Sequence, residues 1–247
     1  MKPNYIKPRF KKELNQKVGL LALSTDLTIE SDFQSICQKL PFDLFVNRIH
    51  NENPLTKENL LKMYDQLESV TEKILPGEKI NTVAYGCTSG TIAIGEDRVK
   101  EKIQLAKPNC YVTTPVTSAI KAFKKMNVKK IAVFTPYPEP VNKTIFEYFN
   151  EKNINIISLS TFNIDLDSDI ARVDPKYLSE TLINLDINEA DALFISCTAL
   201  PALKILDDVE KKIKKTVFSS NQTLIWDTIR SIGYKSVVEG YGKLLRN

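Results

Sequence analysis

Histidine is almost missing from this chain: His50 is the only one in 247 residues. A metal centre built on imidazoles, or a Ser-His-Asp or Cys-His relay, would have to rest on that residue alone. It lies in the polar stretch Arg48-Ile49-His50-Asn51-Glu52-Asn53-Pro54, which reads as an exposed loop. Long apolar runs are missing too. None approaches the roughly 18 residues needed to span a membrane. The polar start from Met1 to Leu14, with Lys7, Arg9, Lys11 and Lys12, has no apolar core of a secretory signal. Cysteine is sparse. Cys37, Cys87, Cys110 and Cys197 are not closely paired, so no disulfide framework is expected and a reducing cytoplasm is the expected compartment. The 34 basic and 30 acidic residues leave a net charge of only +4. Short runs such as Lys211-Lys212 and Lys214-Lys215 read as a solvated helix face. No basic stripe interleaved with aromatics is present, which argues against nucleic-acid binding.

What the chain does have is a regular alternation. Short apolar segments with strand character run over Val18–Leu23, Phe42–Asn47, Thr82–Tyr85, Cys110–Thr113, Ile131–Phe134, Ile154–Leu159, Ala192–Ile195 and Thr216–Ser219. Helical patterns fall between most of them: Ser31–Lys39, Lys57–Ile74, Gly90–Ala106, Thr117–Met126, Val141–Lys152, Pro175–Asn184, Leu200–Lys212 and Gln222–Ile232. Continuous apolar strands separated by amphipathic helices predict an α/β protein with mostly parallel sheets flanked by helices. Four strands fall in each half, so two similar lobes are expected, one from 1–118 plus 223–247 and the other from 119–222. Thr56 with Asn59 marks a helix start, Pro76-Gly77 a stop, and Asp174-Pro175 another start. Asp165 to Asp169 reads as a polar loop crossing between lobes.

One short device occurs twice. The runs Thr82-Val83-Ala84-Tyr85-Gly86-Cys87-Thr88-Ser89 and Ala192-Leu193-Phe194-Ile195-Ser196-Cys197-Thr198-Ala199 each end an apolar strand in Cys-Thr before a helical pattern. Each thiol is therefore expected at a strand end and a helix mouth. There, unpaired N–H groups and the positive end of the macrodipole stabilise a thiolate or a bound carboxylate and lower a thiol pKa. The two cysteines are 110 residues apart, which places one in each lobe facing a shared cleft. Cys37 and Cys110 have no comparable neighbourhood and read as buried structural thiols. Trp226 lies in an apolar helical pattern and reads as packing.

Ligands of open α/β sheets lie beyond the carboxyl ends of the strands. Ser24-Thr25-Asp26-Leu27-Thr28, Gly86-Cys87-Thr88-Ser89-Gly90, Thr135-Pro136-Tyr137 and Ser196-Cys197-Thr198-Ala199 all fall there. With Ser219-Ser220-Asn221-Gln222, these segments resemble, in order and over nearly the whole chain, the aspartate/glutamate racemase superfamily. The resemblance is to its branch of maleate cis-trans isomerases and arylmalonate decarboxylases, with the ectoine-utilisation protein A group the nearest. It implies an active site between two α/β lobes and no metal, pyridoxal phosphate or nicotinamide cofactor. It further implies that Cys87 and Cys197 are the catalytic pair, and that Thr88, Ser89, Thr198, Tyr137 and Asn163 contact a small carboxylate substrate. A homo-oligomer without nucleic-acid or membrane partners is expected.

Two comparisons within that branch refine the expectation. The decarboxylases resemble a version with glycine at the first cysteine, so the presence of Cys87 favours isomerisation. Maleate isomerases resemble a Ser-Asn-Thr-Thr pattern where this chain has Thr25-Asp26-Leu27-Thr28. An ionised Asp26 about 4 Å from a substrate carboxylate would cost about 4 kcal/mol at an effective dielectric of 20. Either Asp26 turns away to cap a helix, or the substrate presents a cation to it. The expected activity is a cofactor-independent isomerase of the maleate type. A two-thiol amino-acid racemase or epimerase and a non-catalytic carboxylate-binding protein are the alternatives. The equal settings of the two thiols leave open which is nucleophile and which is acid.

Overall fold

The structure, a computed structural model, describes residues 3–11, 15–38 and 40–247. Lys39, the expected end of the Ser31 helix, and Met1, Lys12 and Leu14 of the polar start lie outside the described residues. Among the described residues eight strands form: β1 (Gln16–Leu23), β2 (Phe42–Ile49), β3 (Thr82–Gly86), β4 (Tyr111–Thr113), β5 (Lys130–Thr135), β6 (Asn155–Thr161), β7 (Ala192–Ile195) and β8 (Thr216–Ser219). They make two four-stranded sheets of order β2-β1-β3-β4 and β6-β5-β7-β8, and every pairing is parallel. The second sheet therefore repeats the topology of the first. β3 and β7, which lead to the two cysteines, hold the same place in their sheets. Both are buried along their whole length, as parallel strands covered by helices on both faces must be.

The helices depart from the expected pattern where local chemistry interrupts it. The Lys57–Ile74 segment is three pieces: a helix Lys57–Leu61, a 3-10 stretch Lys62–Gln66 and a helix Leu67–Glu72. The Gly90–Ala106 segment is two helices, Thr88–Ile94 and Glu96–Ala106, broken at Gly95 with φ +97°. Glycine reaches that backbone region without the steric cost other residues meet. Three expected boundaries hold. Thr56 accepts the Asn59 N–H, Asp174 accepts those of Lys176 and Tyr177, and Leu67–Glu72 ends short of Pro76-Gly77.

The sheets are tied together by an exchange of helices. Helix Pro115–Lys125, which follows β4, sends Phe123 into the second sheet's core, with ring centroids 5.4 Å from Phe194, 5.1 Å from Phe218 and 6.0 Å from Phe149. Truncating a buried phenylalanine of this kind costs about 3–5 kcal/mol. Helix Ser220–Ser231, which follows β8, bonds to the first sheet through Ser231 to Thr82 (2.7 Å) and Thr228 to Thr113 (3.0 Å). Trp226 is buried on that helix. Among the described residues no helix is long and apolar enough to cross a membrane.

Candidate active site

Cys87 sits where β3 turns into helix Thr88–Ile94. Its backbone is extended, and its sulfur is the cap of that helix, accepting the Gly90 N–H at 3.2 Å. Thr91 locks the same turn by donating both its N–H (3.2 Å) and its hydroxyl (2.6 Å) to the Cys87 carbonyl. Glycine at 90 is required by space. A Cβ there would lie 2.7 Å from Cys87 Sγ, 2.7 Å from Met63 Cε and 2.8 Å from the Tyr85 hydroxyl. The Ser89 hydroxyl is 3.9 Å from the sulfur, and Tyr85 presents its hydroxyl to the same thiol.

The second Cys-Thr is built differently, against expectation. No α-helix starts at Cys197; the chain bends through Thr198–Leu200, makes a 3-10 turn at Leu203–Ile205 and enters a helix only at Leu206. Pro201 has no N–H to give to the Cys197 carbonyl. The next two carbonyls are taken by other parts of the molecule. Asn221 Nδ2 donates to the Thr198 carbonyl at 2.8 Å and the Thr28 hydroxyl to that of Ala199 at 2.7 Å. With its acceptors committed elsewhere, the turn does not wind into a helix. The Cys197 sulfur is instead met by the Tyr137 hydroxyl and the Ala199 N–H.

The two thiols are each 2% exposed and are brought into one buried polar cluster. The Tyr137 hydroxyl and the Asp167 carboxylate lie within charge range of both. Tyr137 is fixed through its carbonyl, which accepts from Asn142 Nδ2 (2.7 Å) and the Thr161 hydroxyl (2.6 Å). Thr198 donates to the Gly86 carbonyl at 3.2 Å, linking the second cysteine turn to the end of β3. Thr88 is buried with its hydroxyl on Ser220 (3.0 Å). Asp26 is fully buried. Its Oδ1 accepts the N–H groups of Thr28 (2.7 Å) and Ile29 (2.9 Å) at the start of helix Ile29–Cys37, while Oδ2 has no partner. One oxygen of Asp26 thus caps the helix start, the first half of the expected alternative, and the other has no hydrogen-bond partner.

Other expectations meet the structure less well. Asn163 is exposed, in a left-handed turn with φ +56°, outside the buried cluster. The polar loop expected at Asp165–Asp169 contains a short helix, Asp167–Ile170, and Asp167 is buried. Its Oδ2 accepts the Thr25 hydroxyl at 2.6 Å, and Thr25 in turn accepts from Asn51 Nδ2 at 2.8 Å. The loops after β2 and β6 meet here through Leu55 N–H to the Asp165 carbonyl (3.2 Å) and Asp167 N–H to Asn53 Oδ1 (3.3 Å). Asp32 supports the second turn by accepting from Asn221 Nδ2 at 2.8 Å. Asn51, Asp167, Tyr85 and Asp32 are site or supporting residues that sequence reasoning passed over, and for Asn51 and Asp167 the signal was position, after the ends of β2 and β6. His50 is exposed, and Cys37 and Cys110 are buried away from this cluster.

Burial dominates the electrostatics and reverses the expectation of an acidified thiol. It pushes Cys87 up to about 12; the Gly90 amide and the hydroxyls of Ser89 and Tyr85 oppose the rise, and the Asp167 charge adds to it. Burial raises Cys197 as well, again with Asp167 adding and Tyr137 and the Ala199 amide opposing. Burial thus holds both thiols in the neutral form. Burial also lifts Asp167 to about 6 and Asp32 to about 7, each with a contribution from the Asp26 charge. Asp26 itself is raised by burial against the pull of the Ile29 and Thr28 amides. The cluster thus holds two proton-bearing thiols and three carboxyl groups of reduced acidity, all buried from solvent.

A family model described as arylmalonate decarboxylase matches residues 94–245. The chain is 25% identical over 245 residues to a maleate isomerase of Geobacillus stearothermophilus, covering 93% of this chain and 96% of that one. In structure it is similar to the maleate isomerase of Pseudomonas putida S16 crystallised with maleate, with a TM-score of 0.86, 20% identity, and coverage of 94% of this chain and 97% of that one. It is also similar to the Nocardia farcinica maleate cis-trans isomerase in a cysteine-to-serine variant with a covalently bound succinylcysteine intermediate. There the TM-score is 0.85, with 19% identity and coverage of 94% and 98%.

Proposed function

The chain belongs to the arylmalonate decarboxylase family, and from that premise we propose that it is a cofactor-independent cis-trans isomerase of a small unsaturated carboxylic acid, with Cys87 and Cys197 as its working pair. The observation that carries this reading is the placement of two buried thiols beyond equivalent strands, β3 and β7, with Tyr137 and Asp167 acting on both. An isolated reactive thiol needs no such partner. A reaction that breaks and restores a double bond does.

The unequal turns favour one division of roles. Cys87 is held by the stiff start of helix Thr88–Ile94 and is the nucleophile. Its S–H proton passes to Asp167, its sulfur bonds to one alkene carbon, and the alkene electron pair moves into the substrate carboxylate as an enediolate. The Ser89 hydroxyl and the amides that open the helix at Thr88 and Ser89 receive that charge, and donors of this kind are each worth about 10²–10³ in rate. Cys197 gives its proton to the carbon beside the carboxylate. The former double bond is now single and rotates. Cys197 then takes the proton back, the C–S bond breaks, and Cys87 regains its proton as the trans acid leaves. Tyr137 steadies the Cys197 thiolate in the interval.

The test uses purified protein without added metal or cofactor and a set of cis-enoic acids that includes maleate, followed by proton NMR. The wild type forms the trans acid, Cys87→Ser forms none, and Cys197→Ser accumulates a covalent adduct on Cys87 detectable by intact mass. A racemase would instead exchange the α-proton of amino acids in deuterated water. A binding protein would retain its function as Cys87→Ser. Either result, in place of trans product, removes the isomerase reading.

A further inference from the structure

The two ends of the reaction space differ in chemistry. On the Cys87 side lie hydroxyls and the opening amides of helix Thr88–Ile94, suited to one carboxylate. On the other side lie Asp26 and Asp167. Asp26 is fully buried, its Oδ1 is saturated by two amides, and its Oδ2 has no partner. The carboxylate lies beside the Thr198 hydroxyl and within charge range of Cys197. An orphan acceptor in such a place is destabilising unless a donor fills it. The Thr198 hydroxyl donates elsewhere, to the Gly86 carbonyl.

The basic side chain whose charge reaches Asp26 is Arg48. The groups acting most strongly on Cys87, Cys197 and Tyr137 are carboxylates, hydroxyls, amides and the thiols themselves, with no lysine or arginine among them. Arg48 is the nearest candidate, but its guanidinium is committed to the carbonyls of Leu23 (3.0 Å) and Asp26 (2.8 Å) and to Glu30 (2.8 Å). A second substrate carboxylate would therefore meet the bare acceptor Asp26 Oδ2, with Arg48 acting only from behind its bonds to the Leu23 and Asp26 carbonyls and Glu30. An N–H donor would fill the vacant acceptor.

Resting on the isomerase reading, we infer that Asp26 sets substrate choice. The substrate is a cis-enoic acid with a carboxylate at one end and an N–H donor, a carboxamide or an ammonium, at the end that meets Asp26 Oδ2. Sites that hold a polar partner discriminate strongly against analogues that leave it unpaired. Asparagine at 26 would keep an oxygen to cap Thr28 and Ile29 while turning the free acceptor into a donor.

The experiment compares kcat/KM at pH 8 for maleate, maleamate and cis-4-aminocrotonate with wild type and Asp26→Asn. The wild type is expected to favour maleamate or cis-4-aminocrotonate over maleate by at least about tenfold, and the better of the two identifies carboxamide or ammonium. Asp26→Asn is expected to gain on maleate and lose on the N–H-bearing acids, reversing the order. A wild type that prefers maleate, or a variant that scales all three by one factor, overturns the assignment and leaves the isomerase reading standing. No turnover of any of the three by either protein removes the isomerase reading and this inference with it. The wild-type order decides alone should the variant not fold.

Discussion

The turn after β3 and the turn after β7 share a Cys-Thr pair and the same position in sheets of the same topology, yet they are held by different parts of the molecule. Cys87 is fixed by its own helix, through the Gly90 amide. Cys197 is fixed from outside, through Tyr137, Asn221 and Thr28. The difference teaches that a duplicated motif does not imply duplicated mechanics. A nucleophile must return to one place in each cycle and gains from a rigid cap. A proton carrier works from a turn whose supports also report on the other lobe.

Exchanging serine for each cysteine breaks the comparison most severely. Cys87→Ser is expected to lower turnover by about 10³-fold or more, while Cys197→Ser traps an adduct, and intact-mass measurement distinguishes them. An adduct that forms on Cys197 in the Cys87→Ser protein would reverse the roles. Next come the supports. Gly90→Ala places a methyl 2.7 Å from the Cys87 sulfur and is expected to cost about 10²-fold in kcat by displacing it. Thr28→Val orphans the Ala199 carbonyl in the other turn and is expected to cost about 1–3 kcal/mol in denaturant unfolding, with a smaller kinetic effect. If both changes act alike on rate, the turns are mechanically equivalent after all.

The third prediction follows from the Asp167 carboxyl, lifted by burial to about 6, as acceptor of the proton of a Cys87 thiol that burial pushes up to about 12. Adduct formation by Cys197→Ser, followed by stopped-flow absorbance, should rise through about pH 6 as Asp167 ionises and stay level from about pH 7 to 9. A tenfold rise per pH unit across that window would mean that Cys87 loses its proton to water and not to Asp167. The last prediction bears on stability and not on rate, and concerns Asp32, which supports the second turn by accepting from Asn221 at 2.8 Å. Its carboxyl is raised from 3.8 to about 7 in the folded protein. A raised carboxyl binds its proton more tightly folded than unfolded, so its stabilisation is full below about pH 4 and is lost as pH rises through about 7. The contribution is at most about 4 kcal/mol. Tm should fall by several degrees from pH 5 to pH 8, and Asp32→Asn should flatten the slope.

The eight strands were legible because each is a short apolar run, and the parallel sheets because those runs lack alternation. The Cys87 cap was legible too, since strand, cysteine and helix follow one another within a few residues. The Cys197 turn was not. Its shape depends on Thr28 and Asn221, residues 171 and 23 positions away, and no local pattern records such a contact. Asp167 was read as loop because acidic residues crowd around it, and only the meeting of the loops after β2 and β6 buries it. The thiol pKa values were misjudged for a related reason. The helix mouth is local and visible in sequence, whereas the desolvation that outweighs it comes from the whole fold.

The exchange of helices between the sheets bears on how the molecule behaves as a whole. Phe123, on a segment that leaves the first sheet, closes the core of the second, and Thr228 and Ser231, beyond the last strand, close the first. Neither sheet is an autonomous folding unit, for all the resemblance between them. Heating should melt both in one calorimetric transition, and a chain cut into halves should regain structure only when the two pieces are mixed.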